Sequence, residues 1–406
     1  MKISLNNISK VKKADIEIKG ITVIAGENNT GKSTVGKALW SIFNSFYDIK
    51  KELKKERENA VFNKMIKELE DEKYSNVNLA VKLSEELISL KKFDLQLIKD
   101  IISKNFKIFN EDYIEKLSKD IYEILSLEDE YVLKNHLEYI LLSEFNGQIS
   151  SVYNKEEGKV ELEISNKNIC IKIDSQKVKS IEKNNSNINI FTEAIYIDDP
   201  YVLDNSNFLL LKRENHKDDL KILLSSKKNK SMIDNALLSK KIKKIDEKLE
   251  EVFKEEMVFN FYDKKIKLKN SMEELEIKNL STGLKTFVIL KNLIDNGALE
   301  ERGTIILDEP EIHLHPEWQL VFAEIIVMLQ VELNLHILLA THSPYFLRAI
   351  QVYAGNYGIA DKCKYYLAEN EENYSVIKDV SDEVELIFKK LARPLQKLED
   401  LLYERF

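Results

Sequence analysis

The stretch Gly26-Glu27-Asn28-Asn29-Thr30-Gly31-Lys32-Ser33-Thr34 lies between an apolar run and a helix-forming run near the start of the 406-residue chain. It has the spacing of a P-loop, in which glycines let backbone N–H groups approach phosphate oxygens without a Cβ in the way. Lys32 would add positive charge at the β- and γ-phosphates, and Ser33 would ligate Mg²⁺. A chance match in a loop is the alternative, but the chain has only 11 glycines, which makes chance a poor explanation. The predicted phosphate-binding residues are Gly26, Asn28, Asn29, Thr30, Gly31, Lys32, Ser33 and Thr34.

An acidic pair follows a second apolar run, Ile305-Ile306-Leu307-Asp308-Glu309, far along the chain. Asp308 would hold Mg²⁺ through water, and Glu309 would orient and polarise the attacking water in a phosphoryl transfer. Acidic residues after a strand are often mere caps of the next helix, so the pair alone is a weak signal. Together with the P-loop it predicts one nucleotide site that is assembled from both ends of the chain.

Two further segments are ambiguous when each is taken alone. Ser281 and Gly283 stand at the start of a helix-forming run, where they would form an anion-binding helix end or an ordinary serine cap. His342 follows the apolar run 337–340, which predicts an imidazole at the carboxyl edge of a sheet or a structural histidine there. His313 and His315 lie near two glutamates, and we favour a helix start or a subunit contact over a metal site for them.

Taken in order, these segments resemble the ABC-type ATPases of the SMC, RecF and OLD (overcoming lysogenization defect) group. The resemblance rests on the P-loop, Leu-Ser-Thr-Gly-Leu-Lys at 280–285, Leu-Asp-Glu-Pro-Glu-Ile-His-Leu-His-Pro at 307–316 and Ala-Thr-His-Ser-Pro at 340–344. It covers about 1–45 and 256–350 and is specific there. The resemblance implies ATP and Mg²⁺ as cofactors, with Mg²⁺ at Ser33 and Asp308.

The same resemblance implies roles for the remaining segments. Glu309, Lys32 and His342 would be catalytic, with His342 as the switch histidine that senses the γ-phosphate. Ser281 and Gly283 would be the signature motif that contacts ATP bound to the other subunit, which implies a homodimer or higher oligomer. The 313–316 segment would lie at the D-loop, across that interface. The family's Mg²⁺-sensing glutamine has no clear counterpart, although Asp198 and Asp199 occupy a plausible position.

The apolar periodicity predicts an α/β fold: an ABC-ATPase-like P-loop head with a mixed, largely parallel sheet, an antiparallel β lobe and helical insertions. The lobe includes a hairpin predicted from alternation at 160–164 and 169–173. We expect the N-terminal part of the head at 1–47, a helical insertion at 48–145, a β-rich part at 146–204, a basic helical insertion at 205–255 and the C-terminal part of the head at 256–406.

Composition favours a cytoplasmic protein. The two cysteines are too few for a disulfide framework, and no run approaches the roughly 18 apolar residues of a membrane span. A net charge of −8 disfavours a uniformly nucleic-acid-binding surface. The segment 212–248 is nevertheless basic, with 12 Lys or Arg against 6 Asp or Glu. Its candidate phosphate contacts are Lys227, Lys228, Lys230, Lys240, Lys241, Lys243 and Lys244, and a solvated helical face is the equal alternative.

These observations lead to two hypotheses of function. The first is an ATPase whose ATP-driven dimer engages DNA or RNA, or controls a nuclease or toxin partner, in phage defence or genome maintenance. Only 64 residues follow His342, fewer than the Toprim nuclease of OLD proteins needs, so such activity is expected from a partner. The second is a nucleotide-gated scaffold that sequesters a toxin with little turnover. A transporter subunit is a distant third, because long insertions separate the motifs.

Overall fold

The computed structural model describes residues 1–70, 77–90, 92–106, 110–153, 155–184, 190–204, 213–228, 231–253, 257–260, 265–268 and 273–403. The described chain forms two compact units, one of Met1–Asn44 with Glu138–Phe406 and the other of Ser45–Leu137. Parts of the predicted basic insertion, 205–212 and 229–230, lie outside the described residues.

The strands are β1 (Lys2–Ile8), β2 (Val11–Glu17), β3 (Ile21–Gly26), β4 (Gly158–Ile164), β5 (Lys167–Asp174), β6 (Lys177–Lys183), β7 (Ala194–Ile197), β8 (Met257–Asn260), β9 (Lys265–Leu268), β10 (Leu275–Glu276), β11 (Thr304–Asp308), β12 (His336–Thr341), β13 (Cys363–Glu371) and β14 (Tyr374–Asp379). Among the described residues, eleven of them form one sheet in the order β6-β5-β4-β1-β2-β14-β13-β3-β12-β11-β7. The other three form a small antiparallel sheet in the order β10-β9-β8.

The half of the large sheet from β13 to β7 is parallel. Its central strand β3 is buried at every position, as expected when helices cover both faces of a parallel sheet. The carboxyl ends of β3, β12, β11 and β7 therefore share one edge. That edge carries the P-loop, His342, Asp308 and Asp198.

The other half of the sheet is formed by β2, β1, β4, β5 and β6, which pair antiparallel. The predicted hairpin is confirmed, because β4 and β5 pair with Leu162 opposite Ile169. The antiparallel lobe is thus continuous with the parallel half through the β14–β2 pair. The fold class predicted from the sequence is confirmed.

The helices are α1 (Lys32–Phe46), α2 (Ile49–Glu70), α3 (Val77–Ile88), α4 (Leu95–Asn105), α5 (Glu111–Ser126), α6 (Asp129–Glu144), α7 (His216–Ser225), α8 (Met232–Phe253), α9 (Thr282–Asp295), α10 (Pro316–Leu333), α11 (Pro344–Asn356) and α12 (Glu385–Tyr403). Short 3₁₀ helices cover Pro200–Asp204, Ile277–Asn279 and Ala360–Lys362. No helix among the described residues is long and apolar enough to cross a membrane.

The core of the first unit packs α9, α10 and α11 with the parallel strands. Phe322 lies at its centre, edge-to-face with Phe287 at 5.3 Å between ring centroids and stacked on Phe346 at 6.3 Å. These rings link the three helices that follow the predicted signature, acidic and switch segments. The segments are therefore held on a common packed base.

The second unit, taken by itself, has its own core, formed by residues between Val61 on α2 and Leu125 on α5. The side chains of Ile114, Leu117 and Ile121 on α5 are buried in it. Asn110 caps α5 by accepting a hydrogen bond from the backbone N–H of Tyr113. The regular spacing of apolar residues on α5 thus explains how this helix packs into the core of the unit.

Candidate nucleotide site

The P-loop joins the buried end of β3 to the first turn of α1. Gly31 has a φ of +79°, and a Cβ there would lie 2.5 Å from Val11 Cγ2, so only glycine fits without strain. Asn29 also has a positive φ, +61°, and its carbonyl accepts a hydrogen bond of 2.8 Å from Lys10 Nζ. The sequence pattern predicts the loop, but nothing in it points to Lys10 as its support.

Lys32 lies inside the loop with its side chain only 4% exposed. Its ammonium donates hydrogen bonds to the carbonyls of Gly26 at 3.0 Å and Glu27 at 2.9 Å. Its third neighbour is Glu309 Oε1, at 3.3 Å. A buried ammonium that is held by two neutral carbonyls and one carboxylate retains positive charge for an incoming anion.

Asp308 ends β11 between β12 and β7 and is 8% exposed. Its Oδ2 accepts a hydrogen bond of 2.9 Å from the hydroxyl of Tyr196, whereas its Oδ1 is buried and has no hydrogen-bond partner among the described residues. Burial raises the pKa of Asp308, and the side chains of Ser33 and Tyr196 oppose that rise. A buried carboxylate oxygen without a hydrogen-bond partner is suited to bind a cation.

Glu309 sits at a sharp turn of the backbone. Its φ is +51°, and its N–H donates to the carbonyl of Ala340 at 2.9 Å, which ties the end of β11 to β12. Its Oε1 lies 3.4 Å from His342 Nδ1 as well as near Lys32. The nearby ring of His342 lowers the pKa of Glu309, with Lys32 adding to the effect, and the contact with Glu309 raises the pKa of His342. The left-handed φ is costly for a glutamate, and strain of this kind is concentrated at functional sites.

An open cavity of about 660 Å³ lies beside the P-loop and the acidic pair, and neither Gly26 nor His342 is among its lining residues. It is lined by Ser9, Lys10, Asn28, Asn29, Thr30, Gly31, Lys32, Ser33, Thr34, Asp198, Asp199, Tyr201, Lys217, Asp308, Glu309, Ile312 and His313. The volume falls within the usual range for small-molecule sites. The fold therefore brings the P-loop and the acidic pair together although they come from opposite ends of the chain.

Ser281 and Gly283 do not line this cavity. Ser281 is the N-cap of α9, and its hydroxyl accepts a hydrogen bond of 3.4 Å from the N–H of Leu284. Gly283 packs so closely that a Cβ would lie 2.9 Å from the carbonyl of His313 and 3.1 Å from the ring of Trp318. The ordinary cap that the sequence allowed is present, and the signature role stays a prediction that needs a second subunit.

His315 precedes α10 as its N-cap residue, and Pro316 opens that helix. The ring of His313 packs edge-on against Tyr201, with centroids 5.7 Å apart. Within the part of the chain that the structure describes, no three His, Cys, Asp or Glu side chains form a group that could hold a metal ion. His315 thus stands at a helix start, and a subunit contact of this segment stays a prediction.

A buried polar group that the sequence does not reveal lies beside the cavity. His216, at the start of α7, binds Glu144 through Nδ1 at 2.7 Å and Asp198 through Nε2 at 3.0 Å. Burial opposes protonation of this ring, but the bonds to Asp198 and Glu144 outweigh it and raise the pKa of His216 to about 9. The ring also stacks on Tyr196, with centroids 4.3 Å apart. A hydrophilic run such as 212–218 predicts a solvent-exposed segment, so only the fold shows that one of its residues is buried.

The lysine side chains of the basic run lie in several different environments. Lys228 is half-buried, and its ammonium lies 3.1 Å from Glu193 and 2.9 Å from Glu300. Its charge is therefore already paired with two carboxylates of the same chain. Lys241 pairs with Glu301 at 2.8 Å, and Lys243 lies 3.8 Å from Glu247. Lys227, Lys240 and Lys244 are exposed and pair with no described carboxylate, and Lys230 lies outside the described residues. As a phosphate contact, Lys228 is thus the poorest of the predicted lysines.

The chemistry of the donors fits a nucleoside triphosphate with Mg²⁺. The cradle at Gly31, the buried charge of Lys32 and the unpartnered Oδ1 of Asp308 face one cavity. Mg²⁺ commonly uses one or two protein oxygens and completes its shell with water and phosphate. Ser33 and Asp308 would be those two protein ligands.

Comparison with known proteins gives one family match. A family model for an AAA ATPase domain matches residues 1–347. An SMC head domain from Thermotoga maritima is 12% identical, with a TM-score of 0.40 and coverage of 93% of this chain and 98% of that chain. An SMC head bound to the C-winged helix domain of ScpA is also 12% identical, with a TM-score of 0.45 and coverage of 95% and 98%. TM-scores this low carry no weight for function.

Proposed function

This chain belongs to the family of AAA ATPase domains, and on that premise we propose that it hydrolyses ATP in a Mg²⁺-dependent reaction in the cavity over its P-loop. The observation that carries the proposal is the convergence of Lys32 and His342 on one carboxylate oxygen of Glu309, at 3.3 and 3.4 Å. An ammonium, an imidazole and a carboxylate beside a phosphate cradle suit a phosphoryl transfer to water.

Each residue has a distinct proposed role. Lys32 attracts the β- and γ-phosphate oxygens and stabilises the charge that develops on them. Glu309 orients a water molecule for in-line attack, and its lowered pKa keeps it ionised at neutral pH. His342, whose pKa is raised by its contact with Glu309, donates a hydrogen bond to the terminal phosphate. Bound Mg²⁺, held at Ser33 and Asp308, supplies charge neutralisation.

Hydrolysis is tested by phosphate release from purified protein with ATP and Mg²⁺. We expect release that is lost in Lys32→Ala and in the absence of Mg²⁺. Release that is equal in wild type and Lys32→Ala would come from a contaminant and would contradict the proposal. If ATP binds tightly but release is marginal in wild type, the nucleotide-gated scaffold is the better description.

The active form is proposed to be a dimer that closes on ATP. Ser281 and Gly283 lie outside the cavity of their own chain, so a second copy is needed to bring a signature segment to the phosphates. Ile312 at the cavity rim is 54% exposed, and Tyr345 in the first turn of α11 is 72% exposed. A second copy that placed its Ser281 over the cavity would cover such side chains. Light scattering with and without ATP tests this, and a monomer at saturating ATP would contradict it.

The output of the closed dimer is proposed to be contact with nucleic acid, or control of a nuclease or toxin partner. The exposed Lys240 and Lys244 support a phosphate-binding surface on α8. Steeply salt-dependent, ATP-dependent binding to DNA or RNA in a mobility assay is the expected result. Co-purification of a nuclease or toxin without nucleic-acid affinity would favour the partner alternative.

A further inference from the structure

Glu311 is a buried carboxylate to which the reaction outlined above gives no role. It is 1% exposed, three residues beyond Asp308 in the turn before α10. Its Oε1 accepts hydrogen bonds from the hydroxyl of Thr341 and, at 3.3 Å, from the backbone N–H of His342. Its Oε2 is buried and has no partner among the described residues.

Burying an ionised carboxylate costs several kcal/mol unless opposite charge and hydrogen bonds compensate. The ring of His342 lies close to Glu311, with its Nδ1 4.0 Å from Glu311 Oε1. Burial raises the pKa of Glu311, and the hydrogen bond from Thr341 opposes the rise. Apart from the backbone N–H of Glu311 itself, the groups that compensate for its burial are in the segment 341–342.

A second side chain strengthens the same connection. Gln319, on the first turn of α10, donates from Nε2 to the carbonyls of Leu314 at 3.1 Å and Glu311 at 3.4 Å. Its Oε1 accepts a hydrogen bond of 3.2 Å from Ser343 Oγ, and Ser343 in turn caps α11. Glu311 and Gln319 thus join the turn before α10 to the turn before α11 on both sides of His342.

We propose that Glu311 is a positioning residue for His342: by accepting hydrogen bonds from Thr341 and from the His342 backbone, it fixes the imidazole against Glu309. The inference rests on the proposed ATP hydrolysis, in which His342 contacts the terminal phosphate. Ile312 and His313, which line the cavity rim, directly follow Glu311 in the sequence. A ligand or second subunit that moves this rim therefore also shifts His342, through Glu311.

The first test uses the ligand-free protein, so it does not depend on hydrolysis. Protein labelled with ¹³C at histidine Cε1 gives one resonance per histidine, and His342→Gln identifies that of His342. We expect Glu311→Ala to shift or broaden this resonance, and Glu311→Gln, whose amide oxygen still accepts both hydrogen bonds, to restore it largely. Asp219→Asn removes a similarly buried carboxylate outside the cavity and should leave the resonance unmoved.

The second test uses kinetics. Glu311→Ala should lower kcat by roughly tenfold or more, since a small misplacement of a reacting group is that costly, while ATP affinity changes little. In a His342→Ala background the same substitution should cost almost nothing further, because residues that act through one another are not additive.

The outcomes separate the inference from the proposed function. An unmoved His342 resonance in Glu311→Ala, or a full additional loss of kcat in the His342→Ala background, would overturn the positioning role. Absence of hydrolysis in wild type would contradict the proposed function and leave the resonance experiment valid. If Glu311→Ala does not fold, Gln319→Leu removes the second connection and Thr341→Val removes one donor, and each is expected to move the same resonance.

Discussion

The hydroxyl of Tyr196 donates a hydrogen bond of 2.9 Å to Oδ2 of Asp308, in the buried layer beneath the P-loop. The two residues come from neighbouring parallel strands, where Ile197 pairs with Leu307. The bond occupies one carboxylate oxygen and leaves Oδ1 without a described partner. Tyr196 therefore sets which oxygen of Asp308 is available to a metal.

Replacing Tyr196 with phenylalanine tests this relationship. Because the carboxylate loses the donor that orients it, we expect the Mg²⁺ concentration needed for half-maximal binding of a fluorescent ATP analogue to rise roughly tenfold. Tyr366→Phe is the matched control, since that buried hydroxyl accepts from the N–H of Glu17 outside the cavity. Equal Mg²⁺ dependence in the two variants would rule out an orienting role for Tyr196.

The buried His216 predicts a pH dependence of stability. Its folded pKa, about 9, lies above the ordinary value of 6.5, so its contribution is fully present below about pH 6.5 and is lost as the pH rises through 9. The loss is on the order of 3 kcal/mol at most. In denaturant titrations, His216→Gln should lack this decline.

The control for this measurement is His336→Gln. Burial lowers the pKa of His336, so its effect on stability lies at the acid side of the range from pH 6.5 to 9, and its removal should leave the loss of stability near pH 9 in place. Asp219, whose pKa burial raises to about 6, completes its titration mainly below the same window. If wild type and His216→Gln lose stability in parallel from pH 6.5 to 9, the buried ion-pair description is wrong.

Substitution of Gly31 by alanine should abolish nucleotide binding. The φ of +79° and the 2.5 Å approach to Val11 Cγ2 leave no room for a methyl group, so the loop must open and withdraw its N–H groups. Gly355→Ala on α11 is the matched control, because a Cβ there meets nothing within 4 Å. Calorimetric titration with ATP should show no binding for the first and unchanged binding for the second, and ATP affinity retained in Gly31→Ala would contradict the cradle.

The lysines of the basic run should divide into two classes. Lys240→Gln with Lys244→Gln should weaken nucleic-acid binding and reduce the slope of log K against log salt by about one for each lysine, without loss of stability. Lys228→Gln breaks contacts to Glu193 and Glu300, so it should lower the free energy of unfolding by roughly 1–2 kcal/mol and leave binding unchanged. Unchanged nucleic-acid binding in the Lys240→Gln, Lys244→Gln variant together with weakened binding in Lys228→Gln would contradict α8 as the binding surface.

The sequence was most informative where backbone chemistry restricts residue choice. Gly31 must be glycine because of its φ, and an apolar strand that ends in Asp308 must present that carboxylate at the sheet edge. The P-loop, the parallel order and the meeting of the two chain ends could therefore be predicted. The roles of the site residues, and the bounds of the insertions, stay predictions.

What the sequence could not reveal depends on contacts between distant segments. His216 lies in a hydrophilic run and gives no periodic signal, yet it is buried against Glu144 and Asp198. In the sequence, Tyr196 is one more apolar residue of a short strand. The partner of its hydroxyl lies on β11, far along the chain, so the sequence does not reveal the hydrogen bond. Glu311 reads as a surface acid near a helix start, and only the path of β12 encloses it. Each case needs the tertiary fold before its chemistry can be assigned.

The most direct test of the central claim is Glu309→Gln, which keeps the size of the side chain and removes its charge. We expect phosphate release to fall by at least about a hundredfold while ATP still binds, since the P-loop is untouched and only the activation of water is lost. ATP should then hold the variant as a stable dimer, measured by light scattering alongside phosphate release. Phosphate release at the wild-type rate from Glu309→Gln would contradict the account.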